Sequence, residues 1–267
     1  MSWETKTENK KEVTVIDDTI EFQSLADAKE NRGLKILCYG DFGTGKTHFA
    51  LSSPNPYVID TENGASPLAD KFPSAKSIML QKVNLPKEIL EKYDDKEECN
   101  EILNWYRLKK LLDVIEDNKI PDDVNTTIII DSSTDIWAFV QAYIKDVVFK
   151  LDVLAKVKQQ FDWGTINGEH NRLVMRLINR KNNIIFTARA NEIYSGPGQP
   201  SGQYQPATQK KLPYFVDAVL YHTNRFNNGK FEFSARITKF RQHGELVGKV
   251  VVNPTFNKLN EMIKNGK

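Results

Sequence analysis

Cysteine is nearly missing from this sequence: there are two, Cys38 in an apolar run and Cys99 in a charged segment. Two such positions offer neither a disulfide framework nor a cysteine-based metal cluster. Histidine is sparse as well, and the four are too scattered for a zinc site. No apolar run approaches the length that crosses a bilayer, and the first residues, Met1-Ser-Trp-Glu-Thr-Lys6, are polar rather than the start of a signal core. The expected setting is a reducing cytoplasm with no membrane partner. An excess of one charge is lacking too. The net is +2 in 267 residues, so nucleic-acid binding cannot be argued from bulk charge. Charge is unevenly placed, however: 84–123 holds 7 basic and 12 acidic residues, and 205–250 holds 8 basic and 3 acidic. With no internal repeat, and with 40% hydrophobic residues, the chain can bury one full core.

What is present is Gly40-Asp41-Phe42-Gly43-Thr44-Gly45-Lys46-Thr47, a match to G-x-x-x-x-G-K-[ST] at every fixed position. Its context fits: the strand-like run Leu34-Lys-Ile-Leu-Cys-Tyr39 precedes it, and His48-Phe-Ala-Leu-Ser52 follows as the first turns of a helix. Glycines let successive backbone N–H groups turn inward on an anion, and a helix N-terminus adds its partial positive charge. Residues 40–48 are thus expected to bind the phosphates of ATP. Lys46 would reach the β- and γ-phosphates, and the Thr47 hydroxyl would ligate Mg²⁺.

The rest of the core alternates strand and helix. Pro56-Tyr-Val-Ile-Asp60, Thr126-Thr-Ile-Ile-Ile-Asp131 and Asn183-Ile-Ile-Phe-Thr187 read as strands, the last two as central strands buried on both faces. Helices are expected over 101–117, 134–160 and 164–180, with Asp162 or Thr165 capping the last and Trp163 in the core. Ala218–His222 and Lys230–Phe240 form a hairpin about Asn227-Asn-Gly229. The pattern predicts an α/β fold with a doubly wound, mainly parallel sheet and a C-terminal antiparallel hairpin. Residues 1–32 read as a polar arm with short strands at 12–16 and 19–22 that pack on the core or bridge subunits, and 33–267 read as the core. The Gly-, Pro- and Gln-rich stretch 194–209 has no Val, Leu, Ile or Met and reads as a long flexible loop.

Hydrolysis needs a metal-holding acid and a group that activates water. Asp131, ending the triple-isoleucine strand, is the candidate acid; its bland reading is a helix cap. Glu62, in Thr61-Glu62-Asn63-Gly64, is either the residue of an ordinary polar turn or a base facing the γ-phosphate. The series Gly40–Thr47, Val58-Ile-Asp-Thr-Glu62 and Ile128-Ile-Ile-Asp-Ser132 resembles the RecA-like ATPase core over roughly 33–252. Within that superfamily it looks like the phage RecA-like ATPases of single-strand annealing and recombination. The resemblance implies that Glu62 is the catalytic base and Asp131-Ser132 the end of the metal-binding strand. It also implies a homo-oligomer, ring or filament, in the host cytoplasm if phage-encoded, with a single-strand DNA-binding protein as a further partner. One departure is that Thr187-Ala-Arg189 stands where RecA has a glutamine, which makes Thr187 a candidate sensor and Arg189 a phosphate or DNA contact.

Thr238-Lys-Phe-Arg-Gln-His-Gly244 is similar to the Lys-x-Arg segment that reaches the γ-phosphate of the adjacent subunit in RecA-like hexameric helicases and clock ATPases. Strand alternation puts Lys239 and Arg241 on one face, as either a joint trans contact or an exposed basic edge. Stretch 194–209 occupies the place of the family's second DNA-binding loop. Tyr194 and Tyr204 would stack on bases, with Lys210 and Lys211 on phosphates, or the loop has no role. The expected function is a Mg²⁺-dependent ATPase acting on single-stranded DNA. The alternative is an ATP-dependent assembly or loading factor whose partner is a protein. A small-molecule kinase leaves the Lys-x-Arg segment unexplained.

Overall fold

In the computed structural model the described residues are 32–93, 99–153, 155–157, 160–227 and 229–266. The short strands expected at 12–16 and 19–22 lie outside them. In chain order come β1 (Lys35–Gly40), α1 (Lys46–Leu51), β2 (Pro56–Asp60), β3 (Lys76–Met79), α2 (Lys87–Tyr93), α3 (Asn100–Val114) and β4 (Thr127–Asp131). There follow α4 (Ser133–Tyr143), α5 (Gln160–Ile178), β5 (Asn183–Ala188), the pair β6 (Ala190–Gly196) and β7 (Gln199–Pro206), and α6 (Leu212–Phe215). The chain then runs through β8 (Ala218–Asn227), β9 (Lys230–Phe240), β10 (Val250–Val252) and α7 (Phe256–Asn265).

Eight strands form one sheet in the order β10-β9-β8-β1-β5-β4-β2-β3, and β6-β7 pair separately. From β8 to β3 neighbours are parallel, and β9 and β10 add antiparallel edges. This is the predicted α/β architecture, a mainly parallel sheet with antiparallel C-terminal strands, in which Gly40–Thr47 forms the phosphate-binding loop (P-loop) after β1. The apolar runs explain why the parallel strands sit in the middle. Leu37 and Tyr39, Ile128 and Ile130, and Ile184 and Phe186 pack on one face against α3, α4 and α5 through Trp105, Val140 and Val174. Ile36, Cys38, Ile129 and Ile185 pack on the other against Phe49 of α1 and Phe256 of α7. Both faces are dry, so truncating one such isoleucine to alanine should cost about 2–5 kcal/mol.

Parallelism also positions the site. Tyr39 lies opposite Ala188, Ile130 opposite Phe186, and Asp60 opposite Asp131, so these strand ends share the sheet's carboxyl edge. Ligands of open parallel sheets bind at that edge.

Three expectations are corrected. Stretch 194–209 is not an unstructured loop: most of it belongs to the β6-β7 hairpin, with register shifts about Tyr194 and a turn at Pro197-Gly198. A two-stranded ribbon has two open edges, so prolines and glycines that would break a central strand are tolerated. The helix expected at 134–160 ends as α at Tyr143 and continues as a π-turn over Ile144–Val148. The next helix starts at Gln160 rather than near Thr165, leaving Asp162 in its first turn and Trp163 37% exposed rather than in the core.

Candidate nucleotide site

β1 ends at Gly40, where the backbone of β8 passes so close that a Cβ would lie 2.3 Å from the His222 carbonyl oxygen. Gly45 has φ +83°, a conformation open to glycine at little cost. The loop between them is tied from several sides. Thr44 Oγ1 donates to the Asp41 carbonyl (2.7 Å), Asn224 Nδ2 to the Gly43 carbonyl (2.9 Å), and the Phe42 N–H to Asp41 Oδ1 (2.8 Å). Phe42 itself is 88% exposed. Lys46 Nζ donates to the carbonyls of Gly40 (3.0 Å) and Asp41 (2.7 Å), at the mouth of the loop. Burial lowers its pKa, while Asp131 and Cys38 pull it back up. Cys38 is buried beneath the loop, and burial pushes its thiol far above the usual range, so it is chemically inert.

Thr47 Oγ1 donates to Asp131 Oδ2 at 2.8 Å, and Thr187 Oγ1, on the intervening strand β5, donates to Asp131 Oδ1. Burial raises the Asp131 pKa, and the two threonine hydroxyls oppose that shift by stabilising the carboxylate. A hydroxyl and a carboxylate side by side are hard oxygen donors that fit Mg²⁺, which takes few protein ligands and keeps waters and phosphate oxygens. Among the described residues no group of three or more His, Cys, Asp or Glu is placed to hold a metal ion.

The turn bearing Glu62 is built by a neighbour that the sequence reading missed. Asp60 is buried, and its carboxylate accepts the N–H groups of Glu62 (3.1 Å), Gly64 (3.1 Å) and Ala65 (3.0 Å). Thr61 joins β2 to β4, donating its N–H to the Asp131 carbonyl at 2.7 Å. Glu62 consequently stands over the same cavity, of about 790 Å³, that Lys46, Thr47, Asp131, Thr187 and Arg189 line. A second cavity of about 610 Å³ lies across the P-loop, lined by Gly45, His48, Leu68, Phe233 and Pro254. His48 meets Phe72 edge-on at 4.9 Å there.

The remaining expected residues are dispersed. Arg189, with its side chain 58% exposed, lines the large cavity, and its guanidinium pairs with Glu62 and with Asp135. Tyr204 has one ring face stacked on Tyr221 (5.7 Å), which stacks in turn on Tyr39 (5.0 Å) of the P-loop strand. Tyr194 is 60% exposed on the hairpin, and Lys210 and Lys211 are exposed beside its base. Lys239 is not a free cation, because its Nζ donates to the carbonyls of Pro213 and Val216 at 2.6 Å each. Arg241 is half-exposed, with Nη2 on the Tyr214 carbonyl at 2.6 Å. Both lie at the opposite end of the sheet from the P-loop, since Arg241 bonds to Asp217, which bonds to Lys35 at the start of β1. Five residues of strand, about 17 Å, separate Lys35 from Gly40.

Among solved structures, the chain is similar to the RadB recombinase (13% identity, 83% of this chain and 86% of that one, TM-score 0.46). It is also similar to the flagellar accessory protein FlaH from Methanocaldococcus jannaschii (14%, 88% and 93%, TM-score 0.42). A third is the KaiC-like protein PH0186 from Pyrococcus horikoshii OT3 (14%, 84% and 91%, TM-score 0.41). No curated protein matches the sequence. The sequence model described as "AAA domain" matches residues 32–250, nearly the whole span just described, and the chain therefore belongs to that family of P-loop ATPases.

Proposed function

We propose that this protein is a Mg²⁺-dependent ATPase that works as a homo-oligomer on single-stranded DNA, in recombination or annealing of the phage type. One observation carries the catalytic half: Thr47, Asp131 and Thr187 are hydrogen-bonded in series, with Glu62 on the wall of the same cavity. The amides of 43–47 and Lys46 would hold the phosphates, and the second cavity, with Phe233 and Leu68, would take the base. Mg²⁺, held by Thr47 and Asp131, would offset charge on the phosphates. Glu62 would orient a water in line with the γ-phosphorus and accept its proton as the bond to the bridging oxygen breaks.

Arg241 is too far from its own P-loop to serve it, which supports delivery to the next subunit's γ-phosphate, while Lys239 pins the 213–216 turn behind it. The hairpin supports the DNA half. It carries exposed Tyr194, has Lys210 and Lys211 at its base, and meets the P-loop strand through the tyrosine stack. Among the described residues no helix is long and apolar enough to cross a membrane.

Two measurements test this reading. Lys46→Ala should abolish ATP binding, and Glu62→Gln should bind ATP without turning it over; wild-type turnover by Glu62→Gln removes the base. Labelled single strands titrated with ATP present should bind tightly and weaken steeply with salt. Absence of binding at low salt would instead favour a loading or assembly factor acting on a protein partner.

A further inference from the structure

The carboxylate of Glu62 has its two oxygens in different states. Oε1 accepts from Arg189 Nη2 and from Ser132 Oγ at 3.3 Å, whereas among the described residues no donor reaches Oε2. The same Nη2 reaches Asp135 Oδ1 at 3.2 Å. Asp135 Oδ2 accepts from Thr61 Oγ1 (2.6 Å) and Ser132 Oγ (3.0 Å), so this second carboxylate ties the ends of β2 and β4 to Arg189. Asp135 stands three residues after Ser132, the N-cap of α4, a spacing that in sequence reads as a capping box. In the fold neither side chain caps the helix; both serve the cluster around Glu62.

Arg189 is held firmly at its backbone. Its N–H donates to Thr134 Oγ1 at 3.0 Å, and its carbonyl accepts from Ala207 N–H at 2.8 Å, where β7 leaves the hairpin. A guanidinium has five N–H donors in a planar fork. Among the described residues Arg189 donates from Nη2 alone, with no acceptor on Nε or Nη1, on a side chain 58% exposed in the cavity that Lys46 and Thr47 line.

We infer that Arg189 is a γ-phosphate ligand supplied in cis, holding the Glu62 carboxylate with one arm of its fork and the terminal phosphate with the other. Asp135 is the positioning residue that orients the fork. One planar group then sets the distance between base and phosphorus, and Oε2 is the oxygen left to take the proton from water. This rests on Glu62 being the base. It adds a positive group that stabilises charge developing on the transferring phosphoryl, the role for which arginine is suited. Because β6 begins at the next residue, the hairpin is joined directly to that group.

The test uses the full chain with steady-state ATPase kinetics and a fluorescent ATP analogue for affinity. Arg189→Ala should lower kcat by about 10²-fold or more, as loss of one transition-state donor does, while KM for ATP moves less than about tenfold. Guanidinium ion at tens of millimolar should restore roughly tenfold of that kcat, whereas methylammonium should not. Arg189→Lys, which cannot bridge two acceptors in a plane, should stay closer to the alanine variant than to wild type. Arg189→Ala combined with Glu62→Gln should be no slower than Glu62→Gln alone, since the two act as a unit. Wild-type kcat in Arg189→Ala, or a loss that guanidinium does not rescue, overturns the proposal. Failure of the underlying reading has a separate signature, normal turnover by Glu62→Gln with Arg189 intact.

Discussion

Replacing Thr187 by valine removes one hydroxyl from beneath the metal-binding carboxylate and leaves the shape of the strand almost unchanged. Thr187 is fully buried on β5, and its hydroxyl is one of two that donate to Asp131, the other being Thr47. A hydrogen bond to a charged group is worth about 1.5–3 kcal/mol when its removal leaves the partner buried. If the carboxylate must be ionised to hold Mg²⁺, that cost appears as roughly 10- to 150-fold weaker Mg²⁺-dependent ATP binding. The pH dependence follows in sign. Burial already raises the Asp131 pKa and the two hydroxyls hold it down, so the valine variant raises it further. Mg²⁺-dependent affinity is retained at high pH and lost as pH falls through the raised pKa, so the variant should lose it at a higher pH than wild type. Calorimetric ATP titrations with and without Mg²⁺, at several pH values between 5 and 8, check this. An equal loss in both series, or one independent of pH, would show that Thr187 supports the strand and not the metal.

Three more outcomes follow from particular contacts. Gly40→Ala places a Cβ 2.3 Å from a backbone oxygen of β8, so it should cost about 1–3 kcal/mol, lower Tm by roughly 3–10 °C and weaken ATP binding; a variant that melts with wild type contradicts the close approach. His170 and His222 are buried, and burial pushes their pKa values down from the ordinary 6.5 to about 4 and about 3. Their contribution is present above pH 6.5 and lost as pH falls, at about 1.4 kcal/mol per unit each; urea melts of His170→Leu between pH 6 and 4 should show one such slope removed. Arg241→Ala should be slow alone, yet partly restored on mixing with Lys46→Ala, whose subunits supply the arginine to an intact P-loop. No recovery at any mixing ratio refutes delivery in trans.

Some of this molecule was legible residue by residue. The P-loop is local, since its glycines and lysine work within eight consecutive positions, and the triple-isoleucine strand announces burial on both faces by composition alone. The hairpin at 190–206 was not legible, because its glycines and prolines look like a loop until a partner strand supplies the hydrogen bonds. Lys239 also looked available in sequence; only folding brings the carbonyls of Pro213 and Val216 to its ammonium.

The order of motifs along the chain was enough to nominate Thr47 and Asp131, because strand, loop and helix formation follow short-range rules, whereas Glu62 was nominated through the family resemblance that order carries. What the Glu62 carboxylate touches was settled by the sheet. Parallel β2, β4 and β5 end at one edge and bring Glu62, Ser132, Asp135 and Arg189 together across as many as 127 positions of sequence. No local pattern encodes such a meeting, since strand pairing and burial between distant segments create it.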